Sequence, residues 1–427
     1  MARMTEVSRV RPWPSFNAAL FAGALPLYAL GVPLGLARVE VASQVAAGLA
    51  LDTSGEPASY GLIAMRLAQF IPLGDQSLRA NLASAVLCAL AVVLLGRLCL
   101  GAVALLRPPA SARQDPRDLL REPIAASAAA LAFALALSTF ELGATGGSAA
   151  ATLLILAAGL LAGFALVRDC GSAQAGYALT GIAGLSAGVD AVAGPLLWPL
   201  LVGLGVWALR KGARWPLLAP VLFVAVWGGS ALAAVACSAV PVTVGSRFAG
   251  LGALGAPAGA GLWATALELG DEVGVIGALL AAIGILVIGA RAAVVAAWLA
   301  LTLLSALLFA HPATKAGAAL PLAIAVSCVL ASAGLLHVAG RLGRAQLAAT
   351  VALAVLLVLT PAMDGGRGRW LRRAALPMHL LDHALARAEL GSVVDPGTVE
   401  MRGLFRLARA IGLRPDLVIK KSEDRKR

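Results

Sequence analysis

Ten long apolar runs divide this chain, and a chain built that way has few folds open to it. They lie at about residues 16–36, 80–106, 124–140, 149–167, 177–209, 215–239, 273–290, 292–310, 317–340 and 347–362. Runs of about 18 or more apolar residues are long enough to cross a bilayer, and there the backbone satisfies its own polar groups only as helix or closed barrel. Hydrophobic residues make up 60% of the 427, above the ~45–50% of soluble domains. The expectation is an all-α polytopic membrane protein, and a soluble globule is excluded. Ala, Leu, Val and Gly dominate, as suits helices packed through small residues.

The run from Tyr177 to Leu209 needs a separate argument. Asp190, Gly194 and Pro195 sit in its middle, with Arg168 before it and Arg210, Lys211 and Arg214 after it. Basic flanks at both ends favour a hairpin of two short spans, because one crossing would put those flanks on opposite sides. That reading gives about eleven transmembrane helices.

Orientation follows from Lys and Arg. Of the segments between spans, one alternating set holds fourteen basic residues, in the clusters around Arg3, Arg107, Arg168, Arg210, Arg291 and Arg341; the other set holds five, Arg38, Arg66, Arg79, Arg247 and Lys315. The richer side is cytoplasmic. The N-terminus is then inside, and the loop of residues 38–79 is outside. The N-terminal run has basic residues before it but no small-residue cleavage motif after it, so it reads as a retained first span of a bacterial inner-membrane protein. The net charge of +12 is placed as topology and anionic lipid require, which argues against nucleic acid as a partner.

Residues 1–362 form the expected membrane domain and residues 363–427 the one extramembrane segment, itself rich in Lys and Arg. In that tail, Ser392–Val394 and Leu417–Ile419 read as short strands. A helix over Val399–Ile411 lies between them, stopped by Gly412, which makes a small α/β unit. Eleven spans put this tail outside; ten would put it inside.

Candidate chemistry concentrates in the first outer loop. Glu40, Asp52, Glu56 and Asp75 fall there, in a chain only 13% charged. A carboxylate beside the bilayer can take the proton of an acceptor hydroxyl, or hold a divalent cation that neutralises a departing phosphate. Solvated loop acids are the plainer alternative. Asp190 is either a functional acid facing a cavity or the cap of the hairpin turn. Arg97, inside the second run, reads as a snorkelling side chain. Arg247 suits a lipid-linked phosphate, because a guanidinium offers two donors to phosphate oxygens. His311 and Lys315 share that reading or are interfacial anchors, and His337 reads as packed. The five cysteines show no metal or redox spacing and read as apolar filler. No internal repeat or pair of broken helices is visible, which counts against a transporter.

Several stretches resemble a bacterial polytopic membrane family related to protein O-mannosyltransferases, in the GT-C class. RLAQFIPLGDQSLRANLASAVLCALAVVLLGRLC (residues 66–99) is similar to that family's RLF-LLP-GD-A-RVNL-SAL segment. STFELGATGGSAAATLLILAAGLL, GLSAGVDAVAGPLLWP and, in the tail, LGSVVDPGTVEMRGLFRLARAIGLRPDLV resemble three further segments in the same order. The resemblance implies a membrane glycosyltransferase with a polyprenyl-phosphate sugar donor and a catalytic acid in the first outer loop. The family's DSGE falls on Ala37-Arg38-Val39-Glu40, so Ala37 replaces its Asp and Glu40 is kept. Its HPPGYP falls on residues 52–57, where Asp52 replaces the His, and the NH of its GNHLT falls on Val189-Asp190. The implied site is Glu40, Asp52 and Asp190, and the separate reading of Arg247 as a donor-phosphate contact would complete it. The changed residues equally fit a non-catalytic relative that binds lipid-linked sugar or a membrane protein partner.

Overall fold

The computed structural model describes residues 14–32, 68–70, 76–106, 116–145, 149–169, 171–189, 193–237, 258–309, 319–363, 393–394, 405, 408 and 418–419. Twelve α-helices follow one another among them. They are α1 (Pro14–Gly31), α2 (Gln76–Ala104), α3 (Pro116–Leu135), α4 (Leu137–Ala144), α5 (Ala149–Arg168) and α6 (Ala173–Val189). Then come α7 (Ala193–Arg210), α8 (Trp215–Cys237), α9 (Ala258–Arg291), α10 (Ala293–Phe309), α11 (Ala319–Gly340) and α12 (Gln346–Met363).

Every apolar run carries a helix, and the Tyr177–Leu209 run carries two. Ile182 of α6 and Leu197 of α7 lie on either side of the break and both approach Gly159 of α5, so this stretch is folded rather than straight. Span length is a stricter test. Among the described residues, five helices are long and apolar enough to cross a membrane, six if the bent pair α3 and α4 counts as one span. Four others, in α1, α7, α8 and α10, are apolar but shorter. The described chain thus has the make-up of a multi-pass helical membrane protein.

Two segments read as loops are helical. Residues 107–123 were expected to be a basic loop, yet α3 begins at Pro116. Proline suits a first helical position, where its missing N–H is not needed. The second is the segment before the 273–290 run, where α9 already begins at Ala258, because LWATALEL supplies good helix formers and no proline.

Small residues set how closely the helices approach. A Cβ at Gly284 of α9 would lie 1.9 Å from the carbonyl oxygen of Leu330, and one at Gly334 of α11 would lie 1.9 Å from that of Leu280. The two backbones meet there with only glycine between them. Elsewhere a large side chain covers a glycine: Leu20 on Gly96, Phe164 on Gly101, Trp298 on Gly163 and Trp215 on Gly176. Cys88, Cys99 and Cys328 are buried free thiols in this core, as apolar filler would be.

Long-range contacts sort the helix ends. At one end the guanidinium of Arg121 (α3) donates to Thr350 Oγ1 at 3.3 Å, to Gln346 Oε1 and to the Leu336 carbonyl at 3.4 Å, tying α3 to α11 and α12. Arg291 closes the same end by donating to the Leu106 carbonyl at 2.9 Å. The opposite end gathers the end of α1, the start of α2, α4, the α9 segment around Glu272 and the end of α12. In the tail, Val393–Val394 (β1) pairs in parallel with Val418–Ile419 (β2), as the strand reading expected. Phe405 and Ala408 between them are helical and buried; the rest of the tail after α12 lies outside the described residues.

Candidate functional site

The end opposite Arg121 is where the bundle departs from regular helix. α3 and α4 meet at Ala136 with a bend of 68°. Ala136 takes φ −58° and ψ 137° as the N-cap of α4 and offers no side-chain cap. The missing acceptor comes from another helix. Both the Ser138 backbone N–H (3.0 Å) and the Ser138 hydroxyl (2.9 Å) donate to Oε2 of Glu272 in α9. A carboxylate at a helix N-terminus meets unpaired N–H groups and the positive end of the helix dipole.

Two residues beyond Glu272, α9 is itself interrupted. Gly274 takes φ 72° and ψ 164°, a backbone conformation open to glycine and strained for other residues. A Cβ there would also lie 2.1 Å from Thr360 Cγ2 of α12. Space and dihedral angle both demand glycine. The expectation of no paired broken helices is therefore corrected: two interruptions, at Ala136 and near Gly274, are joined by the Glu272–Ser138 hydrogen bonds. Hydropathy hides the break at Ala136, because apolar residues run through it, whereas Gly274 stands at the very start of the 273–290 run, just behind Glu268, Asp271 and Glu272.

Aromatic packing seats α4. The Tyr28 ring lies over Gly143, where a Cβ would be 2.4 Å from Cδ1, and Phe140 covers Gly31. The two rings are tilted at 35° with centroids 6.4 Å apart. Among the described residues, the Tyr28 hydroxyl and Thr139 Oγ1 are buried without a hydrogen-bond partner. Thr139 and Gly143 are four residues apart, so both belong to one face of α4. Buried Asn81 and Ser84 at the start of α2, Thr145 after α4 and Thr152 at the start of α5 add polar groups at these helix ends.

The residues singled out in the sequence fare unevenly. Glu40, Asp52, Asp190 and Arg247 lie outside the described residues, as do Ala37, Glu56, Asp75, His311 and Lys315. Of the first outer loop before α2, residues 68–70 are described, with Ala68 buried and Phe70 exposed. Arg97 is exposed, and its Nε donates to Asn17 Oδ1 of α1 at 3.0 Å, so it has a protein partner. His337 is partly buried near the end of α11. Among the described residues, no three His, Cys, Asp or Glu side chains gather closely enough to hold a metal ion. A small cavity between α2, α3, α5 and α11 is walled by Leu95, Leu98, Phe133, Leu153, Leu160 and Leu322, among others. Its apolar walls offer nothing to a sugar or a phosphate.

Sequence reasoning missed Tyr28, Ser138, Thr139 and Glu272. A local signal existed: Ser138-Thr139 and Glu141 interrupt one apolar stretch, and Glu272 stands two residues before a glycine. Periodicity could not pair them across 134 positions. No protein-family model matches the chain, and a search of curated proteins returns no match either.

Proposed function

We propose that this chain is a bacterial inner-membrane protein of about eleven spans with a GT-C-like scaffold. Its N-terminus is cytoplasmic and its small C-terminal α/β unit lies outside. It moves a sugar from a polyprenyl-phosphate donor to an extracytoplasmic acceptor. Glu40 or Asp52 takes the acceptor hydroxyl proton, and the freed oxygen bonds to the anomeric carbon. The bond from that carbon to the donor phosphate oxygen breaks, and the phosphate leaves on its lipid. Arg247 grips that phosphate, and Asp190 is the second acid facing the reaction.

The observation that carries this reading is the gathering of polar side chains at one bundle end. The segment holding Glu40 and Asp52 begins after the last turn of α1 and finishes at the first turn of α2, both at that end. The basic residues Arg121 and Arg291 sit at the other end, which supports a cytoplasmic side there.

The test is transfer from a polyprenyl-phosphate sugar, assayed on the full chain in vesicles, with Glu40→Ala, Asp52→Ala, Asp190→Ala and Arg247→Ala. Loss of transfer at Glu40 or Asp52, with the fold intact, supports the assignment. Unchanged transfer removes those roles. The second reading, a non-catalytic relative that binds lipid-linked sugar or a membrane partner, is favoured by Ala37 where the family has Asp. Binding of the donor without any transfer by the wild type would select it. A transporter is the third reading, and donor crossing the bilayer with its glycosyl bond intact would select it.

A further inference from the structure

We propose that Glu272 is a charge-dependent latch that holds the half-helix α4 in its bent seat. α4 has only eight residues, far short of the ~12–15 an isolated helix needs, so its neighbours must hold it. Its N-terminus has no side-chain cap of its own. The Ser138 N–H and hydroxyl both go to one oxygen of Glu272, and hydrogen bonds to an ionised acceptor are the strong ones. Against this anchor stands a cost. Thr139, the next residue, is buried with its hydroxyl unpartnered, and so is Tyr28, whose ring lies on the same face of α4. A short segment anchored at its start by a charged contact, and carrying unsatisfied buried groups, is suited to two positions.

The anchor is itself fixed in place. Glu272 lies two residues before the interruption at Gly274, and Thr360 of α12 presses against that glycine. The latch therefore links α4, α9 and α12. Glu268, one turn before Glu272, Asp271 beside it and Glu141, one turn after Ser138, place three more carboxylates on the same two helices. Releasing α4 would open the bundle end at which the Glu40–Asp52 segment begins and finishes. The proposal does not depend on sugar transfer and survives its failure.

Hydrogen–deuterium exchange on the full chain in lipid nanodiscs tests it. In Glu272→Gln, amides of residues 137–144 should exchange about tenfold faster, the size of effect that losing a charge-assisted hydrogen bond gives. α11 should keep its wild-type protection. Ser138→Ala removes the hydroxyl donor but keeps the N–H, and should give a smaller rise in the same segment. Protection of α4 unchanged in Glu272→Gln would overturn the latch, as would α4 and α11 loosening together, which marks a merely structural contact. If Glu272→Gln does not fold, Ser138→Ala decides alone: a rise confined to 137–144 supports the latch and no rise overturns it.

Discussion

Replacing Gly334 by alanine puts one methyl group where α9 and α11 touch. The new carbon would lie 1.9 Å from the Leu280 carbonyl oxygen and 2.8 Å from its carbon. Carbon and carbonyl oxygen settle at about 3.3 Å, so the helices must part by roughly 1.4 Å at the crossing. The obstacle is backbone, with no side chain that could swing aside. Overpacking of this kind costs about 3 kcal/mol, and the better helix propensity of alanine returns ~1 kcal/mol. The net expectation is about 2 kcal/mol, roughly a thirtyfold fall in the ratio of folded to unfolded protein. α11 carries that strain badly, since nearly all of its apolar stretch is buried within the bundle. Gly284→Ala should cost a similar amount, its Cβ meeting the Leu330 carbonyl at 1.9 Å. Once the helices have parted for one methyl the second has room, so the double variant should cost clearly less than the sum. Denaturant titration of the protein in detergent micelles measures this, with Gly228→Ala as control because a Cβ there meets nothing within 4 Å. Gly334→Ala as stable as Gly228→Ala would refute the close crossing, and strict additivity would refute the shared cause.

Arg121→Ala should destabilise by about 2–3 kcal/mol, since it strips donors from Thr350, Gln346 and the Leu336 carbonyl inside the bundle; the same titration reads it, and Arg121→Lys should recover only part. Tyr28→Phe removes an unpartnered buried hydroxyl and should leave the folded state unharmed or stabilise it by up to ~1 kcal/mol, against the loss expected of an ordinary hydrogen-bonded tyrosine. Cys88, Cys99 and Cys328 are buried, so mass spectrometry after maleimide treatment should find them unlabelled in the folded protein and labelled after denaturation. Asn17→Ala frees the Arg97 guanidinium of its protein partner and should change stability by less than ~1 kcal/mol, as expected for an exposed contact.

Hydropathy alone located every helix-bearing run, because a bilayer interior tolerates no unpaired backbone group and leaves apolar chain little choice but helix. Basic flanks at both ends marked the fold-back of residues 177–209, and turn residues marked the two tail strands that pair at Val393 and Val418. Boundaries were less legible. Arg117 and Arg121 looked like loop because charge resembles solvent exposure in sequence, whereas α3 buries Arg121 by pairing it with groups 225 and 229 residues away. The polar end was invisible for the same reason. Ser138 meets Glu272, Tyr28 meets Gly143 and Thr360 meets Gly274 only once the helices pack, and no spacing rule joins residues so far apart. What the sequence determined is the material, apolar helices with glycine at intervals and acids in the first loop. Packing decided which glycines become crossings, where helices break, and that a carboxylate of one broken helix caps another. Backbone hydrogen bonding is local and can be read locally; those choices depend on which surfaces meet.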